Sequence, residues 1–249
     1  MSITLITPTG GRPEAFSLLE RFISKQTYQG DIQWIVSDDC DPPTPCTMGQ
    51  TIVRPTPLWQ SGQNTQCRNL LSLIPLVLHD KILICEDDDA YSPYYLETMS
   101  NRLDISPIVG ETNAHYYNVS TRSYRVLSNV HHASLCQTGI RAEVLPSLST
   151  VCQHNKPWVD MELWRTWRRS SQLFRPDPVT GPLCVGIKGM PGRIGIGSGH
   201  RVKFGGAPDP NGTVLRDWVG EDAEVYMGYY RNGNGNGNGN LRLGAKAIS

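Results

Sequence analysis

Ile82-Leu83-Ile84-Cys85-Glu86-Asp87-Asp88-Asp89 is an apolar run that stops at four consecutive carboxylates. A short apolar run of this kind reads as a buried strand. Four adjacent acids repel one another, and burial strengthens the repulsion. A divalent cation at the strand end, holding an anionic ligand on its far side, would relieve it. Carboxylate oxygens are the hard ligands that Mg2+ and Mn2+ take, and such ions bridge protein to phosphate. The plain alternative is a solvated acidic turn.

The segments before this one alternate between strand and helix. Residues 3–8 read as an opening strand, turned by Gly10-Gly11, and Pro13 suits the first position of a helix. Ala15, Phe16, Leu18, Leu19, Phe22 and Ile23 recur at helical spacing. Gln33 to Ser37 is a second strand ending at Asp38-Asp39, Thr51 to Val53 a short third, and Asn64 to about Leu78 a helix disturbed at Pro75. Strand, helix, strand, helix, strand implies parallel strands with crossovers, and ligands of such a sheet bind beyond the carboxyl ends of its strands. Thr7-Pro8-Thr9, Asp38-Asp39 and Glu86 to Asp89 are therefore expected to converge on one crevice. The pattern then changes. A helix is expected over Tyr94–Leu103, a hairpin from Ala114–Val119 and Tyr124–Val130, a helix with three tryptophans over Trp158–Arg169, and loop or short strands over Gly181–Gly206. Asn-Gly repeats over 232–240 are too polar and glycine-rich to pack, and read as a linker before a short tail.

Composition narrows the class. The 249 residues suffice for a sizeable core, and 39% of them are hydrophobic. No apolar run approaches the ~18 residues of a membrane span, so no membrane partner is expected. No secretory leader is visible, and the seven cysteines (Cys40, Cys46, Cys67, Cys85, Cys136, Cys152, Cys184) form no CxxC pair. They read as buried thiols in a reducing, cytoplasmic setting, which would be the host's if the source is viral. The zero net charge hides a split: 9 Lys/Arg against 14 Asp/Glu over residues 1–125, and the reverse excess, 14 against 9, over 126–249. One half suits a cation, the other an anionic partner.

With these motifs in this order, the chain resembles the GT-A glycosyltransferases, α/β proteins with a Rossmann-like, mostly parallel sheet and an acceptor-side region of mixed sheet and helix. Thr7-Pro8-Thr9 resembles their first nucleotide-contacting element, Val36-Ser37-Asp38-Asp39 the strand end where a carboxylate receives the base, and Gln66-Cys67-Arg68-Asn69 the start of the following helix. Glu86-Asp87-Asp88 stands where they carry their metal motif. The resemblance implies a Mn2+ (or Mg2+) cofactor held by Asp88, with His200 as a downstream ligand. It implies donor contacts from Thr7, Pro8, Thr9, Arg12, Asp38, Asp39, Arg68, Glu86, Asp87 and Arg201, and from Gly139, which lies in the element passing beneath the donor sugar. Asp89 is an extra acid at a position usually apolar.

Lys156 to Trp164 resembles the helix start that carries the catalytic base of inverting members, so Asp160 aligns with the base and Glu162 is the reserve. Without the resemblance, Asp160 also reads as a first-turn acid stabilised by the helix dipole. The expected reaction is transfer of a sugar from a nucleotide-sugar, UDP being the common choice among relatives, to a hydroxyl. Glycan, small-molecule and hydroxymethylpyrimidine-DNA acceptors all remain open. Trp164-Arg165-Thr166-Trp167-Arg168-Arg169 suits a nucleic acid, and equally an amphipathic helix with its tryptophans in the core. The expected organisation is a nucleotide-sugar-binding half over 1–110, an acceptor-binding and catalytic half over 111–231, and the linker and tail over 232–249. A nucleotidyltransferase and a non-catalytic nucleotide-sugar or nucleic-acid binding module are the rival readings. Oligomeric state is not legible.

Overall fold

The computed structural model describes residues 2–155, 158–194 and 205–229. Its strands are β1 (Ser2–Thr9), β2 (Asp31–Asp38), β3 (Thr51–Val53), β4 (Lys81–Ile84), β5 (Ala90–Tyr91), β6 (Ile108–Glu111), β7 (His115–Asn118), β8 (Ser123–Val126), β9 (Thr138–Arg141), β10 (Ser171–Phe174), β11 (Cys184–Lys188) and β12 (Ala207–Pro208). Its helices are α1 (Pro13–Ser24), α2 (Gln66–Leu73), α3 (Tyr95–Leu103), α4 (Leu145–Gln153), α5 (Val159–Trp167), α6 (Thr213–Val219) and α7 (Ala223–Met227).

Seven strands form the main sheet in the order β10-β6-β9-β4-β1-β2-β3. β1 is parallel to β2 and β4, and β2 is parallel to β3, so their carboxyl ends lie along one edge as the alternation of elements requires. β9 enters antiparallel between β4 and β6. The second sheet, β12-β8-β7-β11-β5, is mixed.

The main sheet is buried on both faces because its apolar runs are continuous. Successive side chains point to opposite sides. Ile3, Leu5, Leu83 and Cys85 join a core with α1, α3 and the second sheet, through Phe16, Leu19, Tyr95, Met99, Tyr117 and Ile187. Ile6, Ile82 and Ile84 join a core on the other face with α2, α4 and α5, through Leu70, Leu148, Leu163 and Trp164. At roughly 1.5–3 kcal/mol for each fully buried large aliphatic, this two-sided burial is the main support of the strand that carries the acids.

Several expectations are corrected. The helix expected to reach Leu78 ends at Leu73 and continues as a 3-10 turn, Ile74–Leu76, because Pro75 has no N–H to donate. Within Gly181–Gly206, expected as loop or short strands, Cys184–Lys188 is a buried strand of the second sheet. The element that carries Gly139 holds β9, a strand of the main sheet. Gly139 packs there, and a Cβ would lie 2.8 Å from Leu83 Cδ2 and 3.2 Å from Met99 Cε. Its missing side chain thus serves contact with the core. The expected hairpin is present as β7 and β8.

Candidate active site

The four acids have different fates because the chain turns immediately after β4. Asp87, Asp88 and Asp89 are buried, and Glu86 is half-buried. Asp87 accepts a hydrogen bond from Thr9 Oγ1 at 2.6 Å, which ties the end of β1 to the end of β4. Arg12, the residue just before α1, pairs with Asp87 through one guanidinium nitrogen and with Asp88 at 2.7 Å through the other. Glu86 accepts from Gln66 Nε2 at 2.8 Å, and its N–H donates to the Tyr91 hydroxyl at 2.8 Å. Asp89 turns away into the second sheet. Its Oδ1 accepts from the Ile187 N–H at 3.0 Å and from Lys188 Nζ at 3.2 Å. That explains an acid at a usually apolar position: it receives β11.

The β2 acids are equally engaged. Asp38 accepts from the Cys40 N–H at 3.1 Å and the Thr44 N–H at 2.7 Å, and pairs with Arg54 at 2.5 Å. Asp39 pairs with Arg193 at 2.6 Å and Arg68 at 3.0 Å, and accepts from Thr65 Oγ1. The Arg193 guanidinium lies 5.1 Å from the Trp59 ring centroid. Both carboxylates are fully buried, so the expectation that one of them presents an open acceptor to a base is not met in this arrangement. Each has taken the donors that burial demands. Thr7 donates nothing to the crevice either: its hydroxyl accepts from Trp34 Nε1 at 3.0 Å. Pro8 is buried in β1.

Electrostatics distinguish these groups. Burial pushes the Glu86 carboxyl up to about 8, helped by repulsion from Asp89, Asp88 and Asp160 and opposed by Lys188. Burial raises Asp87 to about 6, with Asp88 adding to the rise and Arg12 and Thr9 opposing it. Burial disfavours a charged Lys188, but Asp88, Asp89 and Glu86 outweigh it and hold the ammonium well above its usual range. Burial would raise Asp39, but the hydrogen bond from Thr65 and the Arg193 guanidinium outweigh it and hold the carboxyl low.

Asp160 is the second residue of α5 and is half-buried. Its Oδ1 accepts from the Met161 N–H at 2.9 Å, so the first-turn role is real. It also lies within electrostatic reach of Glu86, which brings it to the acid cluster, and burial raises its own pKa. Glu162 instead pairs with Arg165 at 2.7 Å along the helix. Trp164 is buried and donates to Thr138 Oγ1 at 3.0 Å, and Trp167 donates to Ser147 Oγ at 3.0 Å. Of the three tryptophans, the amphipathic reading therefore holds for these two, and only Trp158 is exposed.

His200 and Arg201 lie outside the described residues. Lys188 and Thr65 belong to the site and were not singled out from the sequence, and Gln66 was named only as part of a helix start. Lys188 alone carried a signal, as a charge closing the run Cys184-Val185-Gly186-Ile187.

The donor set suits a hard divalent cation. Among the described residues, Arg12, Lys188 and Arg193 act on the four acids Glu86 to Asp89, and burial together with the repulsion between these acids raises Glu86 and Asp87. Asp87 Oδ1, although in charge contact with Arg12, accepts no aligned hydrogen bond. Asp88 and Glu86 would hold the ion, with Asp87 behind them.

No protein-family model and no curated protein matches the chain. Solved structures do. S. aureus TarS 1–349 in complex with UDP superposes with a TM-score of 0.55 at 12% identity, over 75% of this chain and 60% of that one. The TarS 1–349 complex with UDP-GlcNAc gives 0.52 at 11% identity, over 78% and 60%. The mannosyltransferase PcManGT from Pyrobaculum calidifontis, in complex with GDP-Man and Mn2+, gives 0.50 at 14% identity, over 76% and 57%. The chain thus spans less than two thirds of the length of these structures. These neighbours are GT-A-type glycosyltransferases, and the fold of this chain is theirs.

Proposed function

We propose that the protein is a metal-dependent glycosyltransferase that moves a sugar from a nucleotide-sugar, UDP-linked in the first instance, to a hydroxyl with inversion. The observation that carries the reading is the meeting of Thr9, Arg12, Asp87 and Asp88 at the ends of adjacent parallel strands, where neighbouring buried acids repel one another. A divalent cation held there by Asp88 and Glu86 would relieve that repulsion and would supply positive charge for a departing diphosphate. Structural neighbours solved with UDP, with UDP-GlcNAc, and with GDP-Man and Mn2+ agree with it.

In this reading Asp160 is the general base. Burial raises its pKa, the direction that makes a carboxylate a stronger base. The acceptor hydroxyl gives its proton to the Asp160 carboxylate, and its oxygen attacks the anomeric carbon opposite the departing nucleoside diphosphate. Arg68 and Arg193, already anchored on Asp39, line the nucleoside end. The acceptor approaches the start of α5, where Trp158 and Met161 are exposed beside Asp160. Stacking on a nucleic-acid base would fall to Trp158 alone, since Trp164 and Trp167 are tied inward. Nucleotidyl transfer fits less well, because Arg12, the basic residue of the Gly10-Gly11-Arg12 turn, is committed to Asp87 and Asp88 rather than turned outward to phosphate.

Thermal-shift screening of nucleotide-sugars with and without Mn2+ tests the reading. A true donor at about 100-fold excess over its Kd adds ~2.7 kcal/mol of stability, and the reading expects that gain only when Mn2+ is present. Equal shifts with and without the ion would remove the metal from the account.

A further inference from the structure

We propose that Cys67 and Cys152 form an oxidisable thiol pair, a modification site at which a peroxide converts two thiols into one disulfide. Cys67 is the second residue of α2 and Cys152 the eighth of α4, and these helices pack together. The two thiols share a hydrogen bond. Both line a cavity of about 490 Å3 with Asn64, Arg68 and Asn155. Gln63, Gln153 and Asn155 at its margin are exposed, so a small oxidant reaches thiols that are otherwise only 2% exposed.

The pair is chemically asymmetric. Cys67 sits in the first turn of α2, where the helix amides favour a thiolate. Cys152 donates the shared hydrogen bond, which lowers the Cys67 pKa and, with burial, raises that of Cys152. An attacking thiolate beside a resolving thiol is the arrangement of redox-sensing cysteines. The Cys67 sulfur attacks one peroxide oxygen, the O–O bond breaks, and the departing hydroxide takes a proton to become water. The Cys152 sulfur then attacks the Cys67 sulfenic acid, forming the S–S bond and releasing a second water. Two thiols and one hydrogen peroxide give one disulfide and two waters.

The other cysteines lack one or other feature. Cys85, Cys136 and Cys184 are buried in the core. Cys40 and Cys46 are more exposed, but burial, Glu20 and Asp38 push Cys46 up to about 11. The site adjoins the donor crevice, because α2 also presents Gln66 to Glu86 and Arg68 to Asp39.

The test treats the full chain with stoichiometric hydrogen peroxide and maps its peptides by mass spectrometry. The expected product links the Cys67 and Cys152 peptides, is ~2 Da lighter than the two thiol peptides together, and reverts with dithiothreitol. In Cys152→Ser, which keeps a hydroxyl to donate, dimedone should label Cys67 as a sulfenic acid. If Cys40 or Cys46 oxidises first while Cys67 and Cys152 still alkylate as thiols, or if dimedone passes over Cys67 in Cys152→Ser, the proposal is overturned. Neither readout involves sugar transfer, so the outcome is independent of the glycosyltransferase reading.

Discussion

Replacing Arg12 with methionine should destabilise the protein in a manner that depends on pH and is repaired by Mn2+. The side chain holds Asp87, fully buried, and Asp88, 5% exposed, while Lys188 lies against Asp88 and Asp89. Removing one partner of a buried ion pair costs ~3–5 kcal/mol when the other must stay charged. Here Asp87 has an escape, since its carboxyl already titrates at about 6. At about pH 7.5, protonating it costs ~2 kcal/mol, at about 1.4 kcal/mol per unit. The lost charged hydrogen bond to Asp88 adds ~1–2 kcal/mol. The sum is about 3–4 kcal/mol, or a Tm lower by roughly 6–16 °C for a chain of this size.

The sign of the pH dependence follows from linkage. Asp87 has a folded pKa above its unfolded one, so the folded state binds the extra proton and stability falls as pH rises from about 4 to about 6. Without Arg12 the folded pKa climbs further and the decline extends to higher pH. The gap between wild type and Arg12→Met should therefore be small near pH 5 and full near pH 8. A divalent ion among the same acids supplies the missing positive charge, so Mn2+ should raise the Tm of the variant more than that of wild type. Differential scanning fluorimetry at both pH values, with and without Mn2+, reads all four conditions. A gap that is the same at both pH values, or one that Mn2+ leaves unchanged, would refute the charge balance.

Asp160→Asn should lower transfer ~100- to 10,000-fold with donor Kd within about threefold of wild type, measured by product formation and calorimetry. Glu162→Gln, which removes only the pairing with Arg165, should stay within about threefold of wild-type rate. Since Asp160 has a raised pKa and acts as a carboxylate, kcat should rise with pH through an acid limb above the ordinary aspartate range, and a limb at or below that range would contradict the base assignment. Gly110→Ala should cost ~1–3 kcal/mol in denaturant melts, because its Cβ would lie 2.6 Å from Trp164 Cζ2. Trp164 lies one turn beyond Asp160, so transfer should fall while donor affinity holds.

The parallel half of the sheet was legible because the run from Ile82 to Cys85 and those of β1 and β2 are continuous, and the acids stop β4 abruptly. Thr9 meeting Asp87 followed from carboxyl ends sharing one edge of the sheet. What stayed hidden depended on partners far along the chain. Asp89 read only as an extra acid at a usually apolar position until β11, 98 residues later, brought the Ile187 N–H to it. Asp38 and Asp39 looked open because nothing in Val36-Ser37-Asp38-Asp39 announces that Arg54, Arg68 and Arg193 will close on them. β9 and β11 were obscured by internal glycines, Gly139 and Gly186, which weaken the strand pattern. Gly186 is there because a Cβ would run into the Tyr116 ring.

The central claim is that Glu86 to Asp88 hold a cation whose other face takes a nucleoside diphosphate. Calorimetric titration of UDP into wild type and Asp88→Asn, each with and without Mn2+, tests it most directly. The account predicts measurable binding for wild type with Mn2+, and binding at least about tenfold weaker (~1.4 kcal/mol) when either the ion or the Asp88 carboxylate is removed. Binding of equal strength in all four titrations would contradict it.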